Sequence, residues 1–209
     1  KKTVAGTASA NIVAFNSQDG GTTAVTIHNT VIPGEAAGSI TFVSTPPTIV
    51  ADGASEYHIT TNPIKDQYGN IVTDNTNIRI NGNNITLLTE SPQKTIGGVV
   101  SFSFRSPSVK GFSTISLLSS EASGFIRAYA TAGPPAGTIE VQSYTTEIVA
   151  NGQAQTLFRI QQLRDAFGNV VEDGTQVFYF VEGGGHVSAP FNFTLLGTTQ
   201  MAVTSGTVA

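Results

Sequence analysis

Asp66-Gln67-Tyr68-Gly69-Asn70-Ile71-Val72-Thr73-Asp74-Asn75-Thr76 returns, one domain length later, as Asp165-Ala166-Phe167-Gly168-Asn169-Val170-Val171-Glu172-Asp173-Gly174-Thr175. The shift from Asp66 to Asp165 is 99 residues, and at that shift residues 37–82 lie on 136–181 without a gap. Fourteen of these 46 positions are identical, among them Ile40/Ile139, Ile49-Val50-Ala51/Ile148-Val149-Ala150 and Gly53/Gly152. Other pairs keep their character, as in Tyr68/Phe167, Ile71/Val170 and Ile78/Val177. Such a period is too long for a solenoid, whose repeats run about 20–50 residues, and it matches an independently folding domain. The chain is therefore expected to be an array of modules.

The repeated stretch is turn chemistry. Asp and Asn side chains bond to nearby backbone, and Gly accepts positive φ. A strand-like run precedes it, Glu56-Tyr57-His58-Ile59-Thr60-Thr61, and Asn77-Ile78-Arg79-Ile80 follows it. Asp74-Asn75 and Asp173-Gly174 form a second turn in each copy, and Tyr68 and Phe167 are expected to fold back as plugs over one end of a sandwich.

Composition narrows the function. The 209 residues include no Cys and no Trp, carry a formal charge of −4, and only 11% are charged. A basic nucleic-acid surface is excluded on that balance, which also argues against a polybasic membrane patch. Without Cys there is no disulfide framework, thiolate metal site or cysteine nucleophile. Abundant Thr, Ser, Gly and Asn with few charges suits an extracellular β-protein. No apolar run approaches the ~20 residues of a membrane helix. Lys1-Lys2 is followed by Thr, Gly and Ser, not by the apolar core of a signal peptide.

Taken in order, residues 1–36 are expected to be the C-terminal part of a preceding module. Ser9–Phe15 and Thr23–His28 are its strands, with a turn at Gln18-Asp19-Gly20-Gly21. The complete module is placed at 37–135. Its strands are Ser39–Val43 (broken at Pro46-Pro47 and resumed at Ile49-Val50), Tyr57–Thr61, Asn77–Ile80, Ile85–Leu88, Val99–Phe104, Thr114–Leu118 and Phe125–Tyr129. Turns are expected at Ala51-Asp52-Gly53, Asn81-Gly82-Asn83-Asn84 and Ser123-Gly124. Val100, Phe102 and Phe104 alternate with Ser, as in a half-buried strand. Residues 136–209 begin a third module and lack its final strands. Val31-Ile32-Pro33-Gly34-Glu35 and Gly133-Pro134-Pro135-Ala136-Gly137 are the proline-stiffened joints. The chain is expected to be part of something longer. With no 3.6-residue periodicity, the fold class is all-β: antiparallel β-sandwich modules in tandem with Greek-key links, end to end.

Val50-Ala51-Asp52-Gly53, a strand, and then Lys65-Asp66-x-x-Gly69-Asn70-x-Val72 resembles the bacterial immunoglobulin-like domains of the invasin/intimin type. Val149-Ala150-Asn151-Gly152 with Arg164-Asp165-x-x-Gly168-Asn169-x-Val171 repeats the resemblance, with Asn151 in place of the usual Asp. The resemblance implies tandem sandwiches on bacterial surfaces, serving as stalks of adhesins or as accessory modules of other secreted proteins. In that family receptor contact lies in a terminal lectin-like domain with cysteines, which has no counterpart here.

Candidate chemistry is sparse. Asp66, Asn70 and Asp74, with Asp165, Asn169 and Asp173, could offer oxygen ligands to calcium, although their spacing is not that of an EF-hand and turn formation explains them without metal. The joints offer a second cluster, Glu35, Asp52 and Asp74 at one and Glu140 and Asp173 at the other. His28, His58 and His186 are isolated, with His58 facing solvent, and no pair has ligand or triad spacing. Gly183-Gly184-Gly185 precedes His-Val and is no phosphate loop. Lys65 beside Asp66 suggests an isopeptide crosslink, but its counterpart Arg164 cannot form one. Asn84-Ile85-Thr86 and Asn192-Phe193-Thr194 are formal glycosylation sequons. No cofactor and no enzymatic activity are expected.

The function expected is a structural stalk or spacer in a larger bacterial surface protein. It would present a distal binding part, through modules each about 40 Å long at strand rise. Two alternatives stand beside it: spacer modules of a secreted enzyme, or modules of a pilus-, conjugation- or phage-associated protein that grip a partner through exposed strand edges. Expected partners are neighbouring modules of the same chain, and a protein or cell-surface partner reached through other parts. Nucleic acid and direct membrane insertion are not expected.

Overall fold

A computed structural model describes residues 4–16 and 18–207. Among the described residues there is no α-helix. The strands are β1 (Gly6–Phe15), β2 (Thr22–Val31), β3 (Ala37–Ser39), β4 (Thr48–Val50), β5 (Glu56–Thr60), β6 (Asn77–Asn83), β7 (Thr86–Leu87), β8 (Gln93–Lys94) and β9 (Ser101–Arg105). They continue with β10 (Gly111–Ser119), β11 (Glu121–Thr131), β12 (Val141–Ser143), β13 (Gln155–Ile160), β14 (Gln176–Phe178), β15 (His186–Val187), β16 (Phe191–Phe193) and β17 (Thr199–Thr204). Two compact units result. One comprises Lys1–Thr45, Glu56–Phe104 and Thr114–Arg127, the other Pro46–Ser55, Arg105–Ser113 and Ala128–Ala209.

In the first unit β1 and β2 form an antiparallel hairpin, in register from Gly6↔Val31 to Phe15↔Thr22. One sheet runs β3-β11-β10-β6-β8 and a second runs β5-β9-β7. Period-2 alternation decides the faces. On β9, Phe102 and Phe104 are buried and Ser101 is exposed; on β6, Ile78 and Ile80 are buried and Arg79 is exposed. Ile59, Ile64, Val72, Val100, Ile115 and Leu117 complete this core. On the solvent side of β5 and β9, His58 Nδ1 lies 3.0 Å from Ser103 Oγ, so the outward orientation expected for His58 holds.

In the second unit β12-β13-β17-β15 form one sheet and β14-β16 another. Ile160, Leu163, Val171, Val177 and Tyr179 are its core, packed against Val187 and Met201. The shift of 99 residues carries local geometry along with sequence. The bridges Ala36↔Asp66, Lys65↔Ile71 and Ile96↔Val99 recur as Pro135↔Asp165, Arg164↔Val170 and Leu195↔Thr198. Outward positions have also diverged: Arg79 and Lys94 of the first copy become Phe178 and Phe193 of the second, where Phe178, Phe191 and Phe193 pack ring on ring at the surface.

Three local expectations fail. Asn81-Gly82 is not a turn: β6 runs through it, paired with Ser116 and Ile115 of β10, and the chain reverses at Asn84, whose φ is 54°. Ser123-Gly124 is likewise inside a strand. The reversal comes at Ser120 (φ 46°), and Gly124 is glycine because a Cβ there would lie 2.6 Å from the Ile40 carbonyl oxygen. Third, Tyr68 and Phe167 do not plug a sandwich end; they are 55% and 50% exposed. What is buried at that end is the aspartate two residues earlier.

Candidate functional site

Asp66 is 4% exposed and both carboxylate oxygens are fully engaged. Oδ1 accepts the backbone N–H of Tyr68 (2.9 Å) and of Asn70 (2.8 Å). Oδ2 accepts the Asn70 Nδ2 amide (2.8 Å) and the backbone N–H of Gly34 (2.9 Å), from the linker 32 residues earlier. The turn closes through Asp66 N–H to Asn70 O and Gly69 N–H to Asp66 O, with Gly69 at φ 84°. Asn70 Oδ1 in turn accepts the backbone N–H of Ala5, just before β1. The turn is thus the point on which the linker and the base of the β1–β2 hairpin converge.

The second turn repeats this atom by atom. Asp165 Oδ1 accepts Phe167 and Asn169 N–H (2.9 and 2.8 Å), and Oδ2 accepts Asn169 Nδ2 (3.0 Å) and Gly133 N–H (2.9 Å). Asn169 Oδ1 accepts Lys110 N–H (2.9 Å) just before β10. Its Nδ2 also donates to the carbonyls of Ser108 (2.9 Å) and Ala51 (3.2 Å). Lys110 Nζ donates to Val170 O (2.9 Å) and sits 3.6 Å from a carboxylate oxygen of Glu172, whose Oε1 accepts Ala132 N–H (3.0 Å).

These geometries fix the electrostatics. Burial alone would raise the carboxyl of Asp66, but the bonds from Asn70, Gly34 and Tyr68 outweigh it and lower the pKa to about 2. Asp165 shifts in the same direction, burial again opposed by Asn169, Gly133 and Phe167. Both aspartates stay ionised at neutral pH. With about four acceptor sites on a carboxylate and four donors bound, each carboxylate is committed to its own turn and the preceding linker.

The other residues singled out are dispersed. Asp74 and Asp173 cap the following turns, accepting the N–H of Gly97 and of Leu196 at 2.6 Å. Glu35 Oε2 accepts the Ser120 hydroxyl. Asp52 holds its own turn with Ser55 and Ser106. His28, His58 and His186 lie on β2, β5 and β15. Among the described residues no group of three or more His, Asp or Glu side chains could hold a metal ion. The residues that sequence reasoning missed are Ala5, Lys110, Glu172 and the glycines Gly34 and Gly133. The glycines are one period apart and could have been found that way; the Ala51 and Ser108 carbonyls, being backbone groups, leave no sequence signal.

No protein-family model and no curated protein sequence matches the chain. Among solved structures it is similar to the crystal structure of invasin, a bacterial integrin-binding protein, at 20% identity and TM-score 0.63. That match covers 91% of this chain and 38% of invasin's, so the chain spans well under half the length of that relative. The D00-D0 domains of intimin (14% identity, TM-score 0.41, 80% of this chain and 85% of that one) and the Yersinia pseudotuberculosis adhesin InvE (14%, 0.35, 80% and 51%) are also matched, too loosely to add to the comparison. The alternating cores, the repeated turn and the invasin match agree on the fold: the chain folds as tandem immunoglobulin-like β-sandwich modules similar to those in the matched part of invasin.

Proposed function

We propose that this segment is a structural spacer of a bacterial surface or extracellular protein, built from modules with the limits 1–36, 37–135 and 136–209 and without catalytic activity. One observation carries the proposal: the most deeply buried charges, Asp66 and Asp165, spend every acceptor site on backbone and amide N–H groups of their own turn and the preceding linker. Buried carboxylates in an active site keep an oxygen for substrate, proton or metal; these hold chain segments in place. The invasin likeness supports a cell-surface setting, since that protein is described as binding integrin and the shared part is fold. Among the described residues no helix is long and apolar enough to cross a membrane.

The test is a replacement. In a surface-displayed protein carrying this segment, residues 37–135 are exchanged for an unrelated immunoglobulin-like module of equal length, or deleted. A spacer tolerates the exchange, and deletion weakens binding by the distal part in proportion to lost reach. If the exchange abolishes binding while display is unchanged, the segment itself makes the contact and the spacer proposal fails.

A further inference from the structure

Asp52 and Asn151 occupy one position of the repeat, and their surroundings differ in one informative way. Asp52 accepts the N–H of Ala54 (2.9 Å), the N–H and hydroxyl of Ser55 (2.7 and 2.5 Å) and the hydroxyl of Ser106 (2.6 Å). Asn151 Oδ1 accepts the N–H of Gln153 (2.9 Å) and Ala154 (2.7 Å), and Ser205 Oγ, the counterpart of Ser106, stands off at 3.5 Å. The backbone frame is the same in both. Gly53 (φ 63°) donates its N–H to Pro107 O and Gly152 (φ 73°) donates to Gly206 O, each at 3.0 Å. Ser106 N–H reaches Ser55 O as Ser205 N–H reaches Ala154 O. Around Asn151 the groups that bind the side chain donate to Oδ1, which suits a carboxylate, and its amide NH2 has no protein acceptor and is left to solvent.

Asn151 is followed by glycine, the neighbour that least hinders attack of a backbone nitrogen on an asparagine side chain. We propose that Asn151-Gly152 is a self-modifying site, at which Asn151 hydrolyses to an aspartate that completes the cage seen at Asp52. The deprotonated nitrogen of Gly152 attacks Asn151 Cγ and ammonia leaves, forming a cyclic succinimide. Water then adds at Cγ and breaks the new Cγ–N bond, restoring the main chain and leaving a side-chain carboxylate. The net change is amide plus water to acid plus ammonia.

The site is gated by the fold. Gly152 N–H is held by Gly206 O, so attack waits on local opening of residues 205–207. Asn151 is exposed and lies in a turn. The other Asn-Gly pair, Asn81-Gly82, is locked inside β6 against Ser116 and Ile115 of β10 and opens only when that ladder does. Addition of water at the main-chain carbonyl instead would insert a methylene into the turn and carry the oxygen away from Gln153 and Ala154, so the folded chain favours the ordinary aspartate.

The intact protein is aged at mildly alkaline pH, cleaved with trypsin and examined by mass spectrometry. The acid form is expected on the peptide Ala128–Arg159 severalfold faster than on Ile80–Lys94, with ordinary aspartate the major product. In parallel, Asn151→Asp is expected to raise the urea midpoint, and the gain to disappear in Asn151→Asp combined with Ser205→Ala. Equal hydrolysis of both peptides, none on either, a majority of the isoaspartyl form, or a midpoint for Asn151→Asp at or below that of the parent overturns the proposal.

Discussion

The turns at Asp66 and Asp165 share one skeleton and differ in what surrounds it and how deeply it is buried. Each carboxylate takes two N–H groups of its own loop, the amide of an asparagine four residues on, and one linker glycine. In the second turn Asn169 donates to two carbonyls, and the Lys110–Glu172 pair spans Val170. At the matching positions of the first stand Ala5, just before β1, and Thr73. Asn169 is correspondingly buried, and Asn70 half-buried. The carboxylate is thus the constant part of the device. The surrounding contacts are where the two copies have been tuned apart.

The largest effect belongs to the carboxylate itself. Asp165→Ala leaves the buried N–H of Asn169 and the part-buried N–H groups of Phe167 and Gly133 without an acceptor and is expected to cost about 3 kcal/mol, measured by urea unfolding. Asp66→Ala should shift the midpoint in the same direction, by less. Equal shifts would mean that the deeper burial around Asp165 contributes nothing. Asn169→Ala comes next, at about 1–2 kcal/mol, and should raise hydrogen exchange at the Lys110 amide while Asn70→Ala does so at Ala5.

Acid should act on both turns with a defined sign. Each folded carboxyl lies below its unfolded value of about 4, so its stabilisation is fully present above that pH and lost as pH falls towards the folded pKa, about 2 for Asp66. Urea midpoints should therefore fall between about pH 4 and 2. A midpoint that rises over that window would contradict the hydrogen-bond assignment.

Two smaller effects sharpen the contrast. Leu196 holds φ 52° where the first copy has Gly97 at φ 58°. It is largely exposed, so Leu196→Gly relieves a left-handed conformation at little packing cost and should gain up to about 1 kcal/mol. Lys110 and Glu172 are partly exposed, so a double-mutant cycle should give a coupling under about 1 kcal/mol that fades with salt.

Much of this was legible in the sequence because the period is. Turn residues at positive φ, alternating cores on β6 and β9, and the 99-residue shift all carry side-chain signatures. The fully bonded aspartates were legible only as turn formers, because the bond that ties each to the linker comes from the backbone of a distant residue, Gly34 or Gly133. Asn81-Gly82 and Ser123-Gly124 misled for a related reason. Glycine marks tight turns and close backbone approaches alike, and only the packing of Ile85 on Gly82 and of Ile40 on Gly124 separates the two.

The pairing of β11 has a mechanical consequence. It lies parallel to β3 from Glu121↔Ala37 to Ser123↔Ser39 and parallel to β4 from Tyr129↔Thr48 to Thr131↔Val50. A pull applied through Ala37 and Thr131 slides these strands past one another, loading their hydrogen bonds simultaneously. The β1–β2 hairpin, pulled through Gly6 and Val31, parts one rung at a time. Under tension the hairpin should yield first and the stretch from Ala37 to Thr131 should resist longest, an order that single-molecule extension would reveal as one low and one high rupture force.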